Sequence, residues 1–184
     1  NIELESGTTI LTGANMSGKS SILKTLALNV YLGLLGFYVF ADYAEIPLVK
    51  GIKYLGTEIN EIHGYSNFGQ EIISLNEIIK EMKKERLLIC VDEFARTTNP
   101  NEGEKFVRAL ANFAQKFSSF TIIATHYDGI PDEFMGHYQI KGLKDFEHIS
   151  SDDILGDFNR YMDYTLEKVA HSKSVPQEAY KVCV

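Results

Sequence analysis

Gly13-Ala14-Asn15-Met16-Ser17-Gly18-Lys19-Ser20 has the spacing G-x-x-x-x-G-K-[ST], and its residue types suit a chain of phosphates. The two glycines let the backbone curl so that successive N–H groups face an anion. Lys19 brings a charge to the β/γ-phosphates of a nucleotide, and Ser20 a hydroxyl to Mg²⁺. The predicted nucleotide-binding set is Gly13, Asn15, Met16, Ser17, Gly18, Lys19, Ser20 and Ser21. The motif also needs a strand before it and a helix after it. Thr9-Ile10-Leu11 is the apolar run of a strand; Ile22, Leu23, Leu26, Ala27 and Val30 are spaced as one face of a helix. That helix adds the positive end of its dipole to the loop.

A second candidate is Asp92-Glu93, at the end of the apolar run Leu87-Leu88-Ile89-Cys90-Val91. Ligands of α/β sheets sit at such strand ends. Asp92 is placed to hold Mg²⁺ with Ser20, and Glu93 to orient and deprotonate the water that attacks a γ-phosphate. A helix N-cap explains a lone Asp-Glu equally well. The phosphate loop upstream is what favours the catalytic reading. His126 closes Ala124-Thr125-His126 at the end of the next buried run. Alone it reads as structural; beside the other two motifs it reads as a partner of the γ-phosphate or the attacking water. Arg96 to Gly103 is a polar loop leading into a helix, either a plain connector or a contact with nucleotide and neighbouring subunit. Gly64 to Glu71 reads on its own as a Gly-bounded loop, with Ser66 or Asn67 as cap of the helix that follows.

The remaining pattern supplies a scaffold. Ile2–Leu4 and Thr8–Leu11 read as strands joined at Ser6-Gly7, followed by a helix from about Lys19 to Tyr38. Asp42 to Leu55 reads as short strands or turns, and Glu71 to Glu85 as a helix with Ile72, Leu75, Ile78, Ile79 and Met82 on its apolar face. Lys80, Lys83 and Lys84 on its polar face suit the negative end of the helix dipole. Glu102 to Phe117 is a helix facing Phe106, Val107, Leu110, Phe113, Ala114 and Phe117 inward; Phe120 to Ala124 is a buried strand. Alternating strands and helices predict an α/β fold with a mostly parallel sheet flanked by helices. After Tyr127 the pattern weakens. Gln139 to Phe146 reads as edge strands, Phe158 to Val169 as irregular or helical, and Pro176 to Val184 as the start of a helix.

With 184 residues, 45% hydrophobic and 23% charged, the chain reads as one soluble domain over 1–184, with 128–184 its less regular part. A net charge of −7 gives no attraction to nucleic acid or anionic membrane by itself. No apolar run approaches the ~20 residues of a membrane span. No signal peptide is visible, and two cysteines, Cys90 and Cys183, form no disulfide framework, so a cytoplasmic setting is expected. Asn1 lies a dozen residues before the phosphate loop with no initiating Met, which reads as a piece of a longer protein.

Together these segments resemble the ATPase domain of the MutS family. Thr12 to Ser21 is similar to T-G-P-N-M-G-G-K-S-T, the Asn15-Met16 pair being its distinctive part. Asp92 to Gly103 is similar without a gap to D-E-I-G-R-G-T-S-T-Y-D-G, matching at Asp92, Glu93, Arg96, Thr98 and Gly103. Ala124-Thr125-His126-Tyr127 fits A-T-H-Y/F, while Gly64, Ser66, Phe68 and Glu71 fit G-x-S-T-F-x-x-E. The resemblance implies a P-loop, ABC-type ATPase using ATP and Mg²⁺. It implies a homodimer, or a pair with another MutS-like subunit, in which Ser66 reaches the γ-phosphate held by the other chain. DNA would be gripped, as in mismatch repair, by domains outside this chain. An aromatic contact to adenine is expected ahead of Asn1.

The chain departs from the pattern at several places. Ala14 and Ser17 replace Pro and Gly, which Ser17 accommodates only at negative φ. The family's acidic pair falls at Ile59-Asn60, and the second loop reads Phe94-Ala95-Arg96-Thr97-Thr98-Asn99-Pro100. That wording, with Met162-Asp163-Tyr164 and Val175 to Ala179, resembles MutS-like ATPases associated with cobalamin/pyridoxal-phosphate aminomutases. The alternative role is then reactivation of an aminomutase client, with no part for DNA.

Overall fold

The computed structural model describes residues 1–14, 17–56, 66–143 and 162–170. Its elements run β1 (Gly7–Thr12), α1 (Lys19–Leu34), β2 (Gly51–Leu55), α2 (Asn67–Met82), β3 (Leu87–Asp92), α3 (Pro100–Ala114), β4 (Phe120–Thr125), β5 (Gly136–Leu143) and β6 (Met162–Lys168). The six strands form one sheet in the order β2-β3-β4-β1-β5-β6. All neighbours are parallel except β5 and β6.

β1, β3 and β4 are buried along their whole length, so each strand must be apolar on both faces. Their side chains alternate between two cores. Ile10, Ile89, Val91 and Ile123 join α2 and α3 residues such as Ile78, Met82, Val107 and Leu110. Leu11, Leu88, Cys90, Ile122 and Ala124 join Leu23 and Val30 of α1. Cys90 is fully buried as a small core residue, and that burial pushes its thiol up to about 12.

Several expected elements are corrected. No strand forms over Ile2–Leu4; the Glu3 amide instead donates to the Tyr138 hydroxyl at 2.9 Å. α1 stops at Leu34, short of Tyr38, because Gly36 takes φ 78°. The Phe37 amide then bonds the Leu32 carbonyl and the Gly36 amide the Gly33 carbonyl, a Schellman closure. α2 starts at Asn67, four residues before Glu71, with Ser66 as its N-cap accepting from the Gly69 amide at 3.2 Å. It ends at Met82 and not at Glu85. α3 starts earlier than Glu102 because Asn99 caps it and Pro100 supplies the first turn's fixed φ; it ends at Ala114. Phe106 faces outward, packing edge-on to Phe68 of α2 at 5.3 Å. Met162–Lys168 is an antiparallel edge strand, contrary to the irregular or helical expectation for Phe158 to Val169. The readings on Pro176–Val184 and Ile59-Asn60 lie outside the described residues. Among those described, no helix is long and apolar enough to cross a membrane.

Candidate functional site

Register alone brings the candidate residues together. Thr12 lies opposite Thr125, and Asp92 opposite Ala124. The loops that follow β1, β3 and β4 therefore leave the sheet side by side at its C-terminal end, where an α/β sheet binds ligands. The Glu93 amide extends the ladder by one bond, donating to the Ala124 carbonyl at 3.1 Å.

In the first loop Gly18 carries the left-handed turn, at φ 92°. Ser17 is buried, and its amide closes a turn on the Ala14 carbonyl at 3.2 Å. Gly13 matters for space: a Cβ there would stand 2.6 Å from Ser17 Oγ and 3.2 Å from Ile140. Lys19 opens α1, is only 4% exposed, and its Nζ donates to the Gly13 and Ala14 carbonyls at 2.9 Å each. It also stands 3.4 Å from Glu93 Oε1. Burial lowers the Lys19 pKa, with Glu93 opposing that shift. Ser20 and Ser21 are exposed in the first turn of α1, while Asn15 and Met16 lie outside the described residues.

The second loop is built differently. Asp92 ends β3 and is buried, with Oδ2 accepting from the Tyr54 hydroxyl at 2.8 Å. Glu93 sits at φ 50°, its carboxylate between Lys19 and Arg96, the latter 3.1 Å away. Ala95 is left-handed too, at φ 62°, where the resembling motif has glycine. Its amide donates to the buried carboxylate of Glu71 at 2.9 Å. On its other side Gly103 leaves room for the loop: a Cβ there would run into the Tyr127 hydroxyl and stand 3.0 Å from the Ala95 carbonyl. His126 follows β4, half-buried; burial lowers its pKa while Glu93 works against the shift, so the ring is neutral at pH 7.

Buried polar atoms without a partner gather here. Among the described residues these atoms are Ser17 Oγ, Asp92 Oδ1, His126 Nδ1 and, within β4, Thr121 Oγ1. Three of the four belong to residues at this end of the sheet, in the first loop, at the end of β3 and just after β4. Buried groups are normally satisfied, so this cluster suits a polar ligand between the loops. No group of three or more His, Cys, Asp and Glu able to hold a metal occurs among the described residues. One carboxylate and a hydroxyl fit an ion such as Mg²⁺, which takes its other oxygens from water and phosphate.

The family described as MutS domain V matches residues 9–178, nearly the full chain. The chain belongs to the MutS family. It is 33% identical over 132 residues to the DNA mismatch repair protein MutS of Streptococcus uberis, covering 70% of this chain and 16% of that protein. Against the DNA mismatch repair protein MutS of Streptococcus pyogenes serotype M5 the identity is 34% over 125 residues, 67% of this chain and 15% of the other. The chain thus spans about 16% of the length of its MutS relatives.

Three of the MutS-type segments, those after β1, β3 and β4, reach this end of the sheet where they are described. Ser66 stands apart, exposed at the start of α2. Tyr54 was missed by sequence reasoning, since nothing local marks a tyrosine in an edge strand as the partner of a carboxylate 38 residues on. Tyr164 was noted only as subfamily wording, yet its ring lies over Gly18, 3.2 Å from where a Cβ would be.

Proposed function

We propose that this MutS-family chain is a P-loop, ABC-type ATPase domain that binds ATP with Mg²⁺ and hydrolyses it as a conformational switch. The observation carrying the reading is the set of unpartnered buried atoms, Ser17 Oγ, Asp92 Oδ1 and His126 Nδ1, at the end of the sheet where the buried Lys19 meets Glu93. Each matches a requirement of phosphoryl transfer. The Gly13–Ser20 loop and Lys19 hold the phosphates. Ser20 and Asp92 would hold Mg²⁺, which when bound neutralises charge on the β- and γ-phosphates. Glu93 orients the attacking water and takes its proton. Neutral His126 donates or accepts one hydrogen bond at the γ-phosphate or the water.

With the phosphates in place, Lys19 has a better partner than the Gly13 and Ala14 carbonyls and Glu93. Exchange of those contacts frees the Glu93 carboxylate for the water. Ser66, exposed at the head of α2, is then available to the γ-phosphate of a second chain, so the working unit is a dimer with shared sites. The mismatch-repair names of the relatives support a DNA-linked use of the switch, through parts of the protein beyond this chain. No relative reported above favours the aminomutase client, and Val175 to Ala179, part of the wording behind it, lies outside the described residues.

The test is ATP hydrolysis by the intact protein, with and without mismatched duplex DNA, for wild type and Glu93→Gln. The variant is expected to bind ATP, stop turning over and accumulate as a dimer. Unimpaired turnover removes Glu93 from its role. Turnover indifferent to DNA removes the mismatch-repair use.

A further inference from the structure

The loop carrying Glu93 contains two non-glycine residues in the left-handed region, at φ 50° and φ 62°. An L side chain there costs roughly 1–2 kcal/mol, and such a residue persists only where its surroundings fix it. Glu93 is fixed by the ladder bond to Ala124 and by Lys19 and Arg96. Ala95 is fully buried, and its amide has one acceptor, Glu71 Oε2. Glu71 is itself 4% exposed and sits on α2, five residues after the Ser66 cap. A carboxylate is a costly choice for a buried acceptor, because desolvation raises its pKa and only the Ala95 amide offsets this. Apolar packing alone would have been served by an aliphatic side chain.

We propose that Glu71 is a positioning residue that clamps Ala95 in its left-handed conformation and so ties the head of α2 to the candidate general base Glu93. The proposal deepens the ATPase reading and rests on it for its kinetic consequence. The clamp is a rigid link in which α2, entered through Ser66, carries Glu71, and Glu71 sets the loop only two residues from Glu93. A displacement of α2 at Ser66 is thereby felt at the water-activating carboxylate.

The test uses the intact protein with Glu71→Met, which keeps side-chain bulk without an acceptor, and Glu71→Gln, which keeps an acceptor without charge. Glu71→Met should lower kcat about tenfold with ATP affinity within about twofold, and Glu71→Gln should restore most of the rate. Because glycine adopts positive φ freely, adding Ala95→Gly to Glu71→Met should recover about threefold or more of the loss. A rate unchanged in Glu71→Met, a loss shared equally with ATP affinity, or no recovery by Ala95→Gly each overturns the clamp. Amide hydrogen exchange reads the clamp without activity. In wild type the Ala95 amide should exchange at least about 100-fold more slowly than those of Arg96 and Thr97, which are exposed. Equal rates overturn the proposal even if Glu71→Met does not fold. A wild type that turns over no ATP, with Ala95 still protected, defeats the ATPase reading and leaves the clamp standing.

Discussion

Two loops at the same end of the sheet solve one geometric problem in opposite ways. Both reverse the chain where it leaves a buried strand, and both use left-handed backbone to do it. The Gly13–Ser20 loop assigns that conformation to Gly18, at φ 92°, where it costs nothing sterically. At Gly18 that conformation needs no support from neighbours, and Lys19 leans on the Gly13 and Ala14 carbonyls of its own loop besides Glu93. The Glu93–Gly103 loop assigns the conformation to Glu93 and Ala95, and its shape is borrowed. Glu71 from α2, Ala124 from β4, and the room left at Gly103 for Tyr127 all hold it. A loop that is shaped locally binds the same way whatever its neighbours do. A loop shaped by its neighbours can be switched by them. On the proposed ATPase reading, the first would grip phosphates and the second would decide when water is activated.

The largest expected effect breaks the gripping loop. Lys19→Ala removes its only cation and should weaken ATP binding about 100-fold or more, the scale of a buried charge-assisted contact. Calorimetric titration of the intact variant measures it, and retained tight binding would remove the loop from phosphate recognition. Gly18→Ala is the next largest. A methyl group at φ 92° costs about 1–2 kcal/mol and meets the Tyr164 ring at 3.2 Å. It should lower both the unfolding midpoint and ATP affinity. An unaffected affinity would mean that the loop's shape is not local after all.

The acid limb of stability sharpens the contrast between the loops and the strand beside them. Burial holds the His126 pKa below its ordinary 6.5. Below that pH the unfolded chain takes up the proton first, so unfolding binds protons and stability falls as pH falls, until the folded ring is protonated too. His126→Gln lacks this linkage. Between pH 7.5 and 5.5 wild type should therefore lose more thermal stability than the variant, read as the difference in Tm at each pH. A constant difference would mean that the ring is not desolvated.

The sheet was largely legible in the sequence, for a physical reason. β1, β3 and β4 are buried on both faces, so their apolar runs are continuous and bounded. The missed element, β6, is an edge strand whose Met162-Asp163-Tyr164-Thr165-Leu166 mixes exposed and buried positions. Helix starts were displaced: Ser66 was readable as a cap and is one, though the helix was begun at Glu71, while Asn99 looks like loop until its side chain is seen accepting a backbone amide. The candidate site residues were legible as motifs. The pairings that support them were not: Glu71 was noted as a motif residue and Tyr54 not at all, and they reach Ala95 and Asp92 across 24 and 38 residues of chain. No local pattern encodes such a pairing.

The smallest expected effect is also the most specific to the comparison. Ala95→Gly makes the borrowed loop resemble the local one. Relief of the left-handed strain returns about 1–2 kcal/mol, while the added freedom of glycine in the unfolded chain costs about 0.5–1 kcal/mol. The two nearly cancel, so the unfolding free energy from a urea titration should change by less than about 1.5 kcal/mol, toward greater stability. Gly18→Ala runs the same exchange backwards and should destabilise by a similar or larger amount, since the Tyr164 contact is added to the strain. Opposite signs at positions 18 and 95 support the division into a locally shaped and a neighbour-shaped loop. If Ala95→Gly instead destabilises by more than about 1 kcal/mol, the Ala95 methyl group contributes packing that outweighs its strain. The left-handed turn there would then be a consequence of core packing, with no need of a clamp.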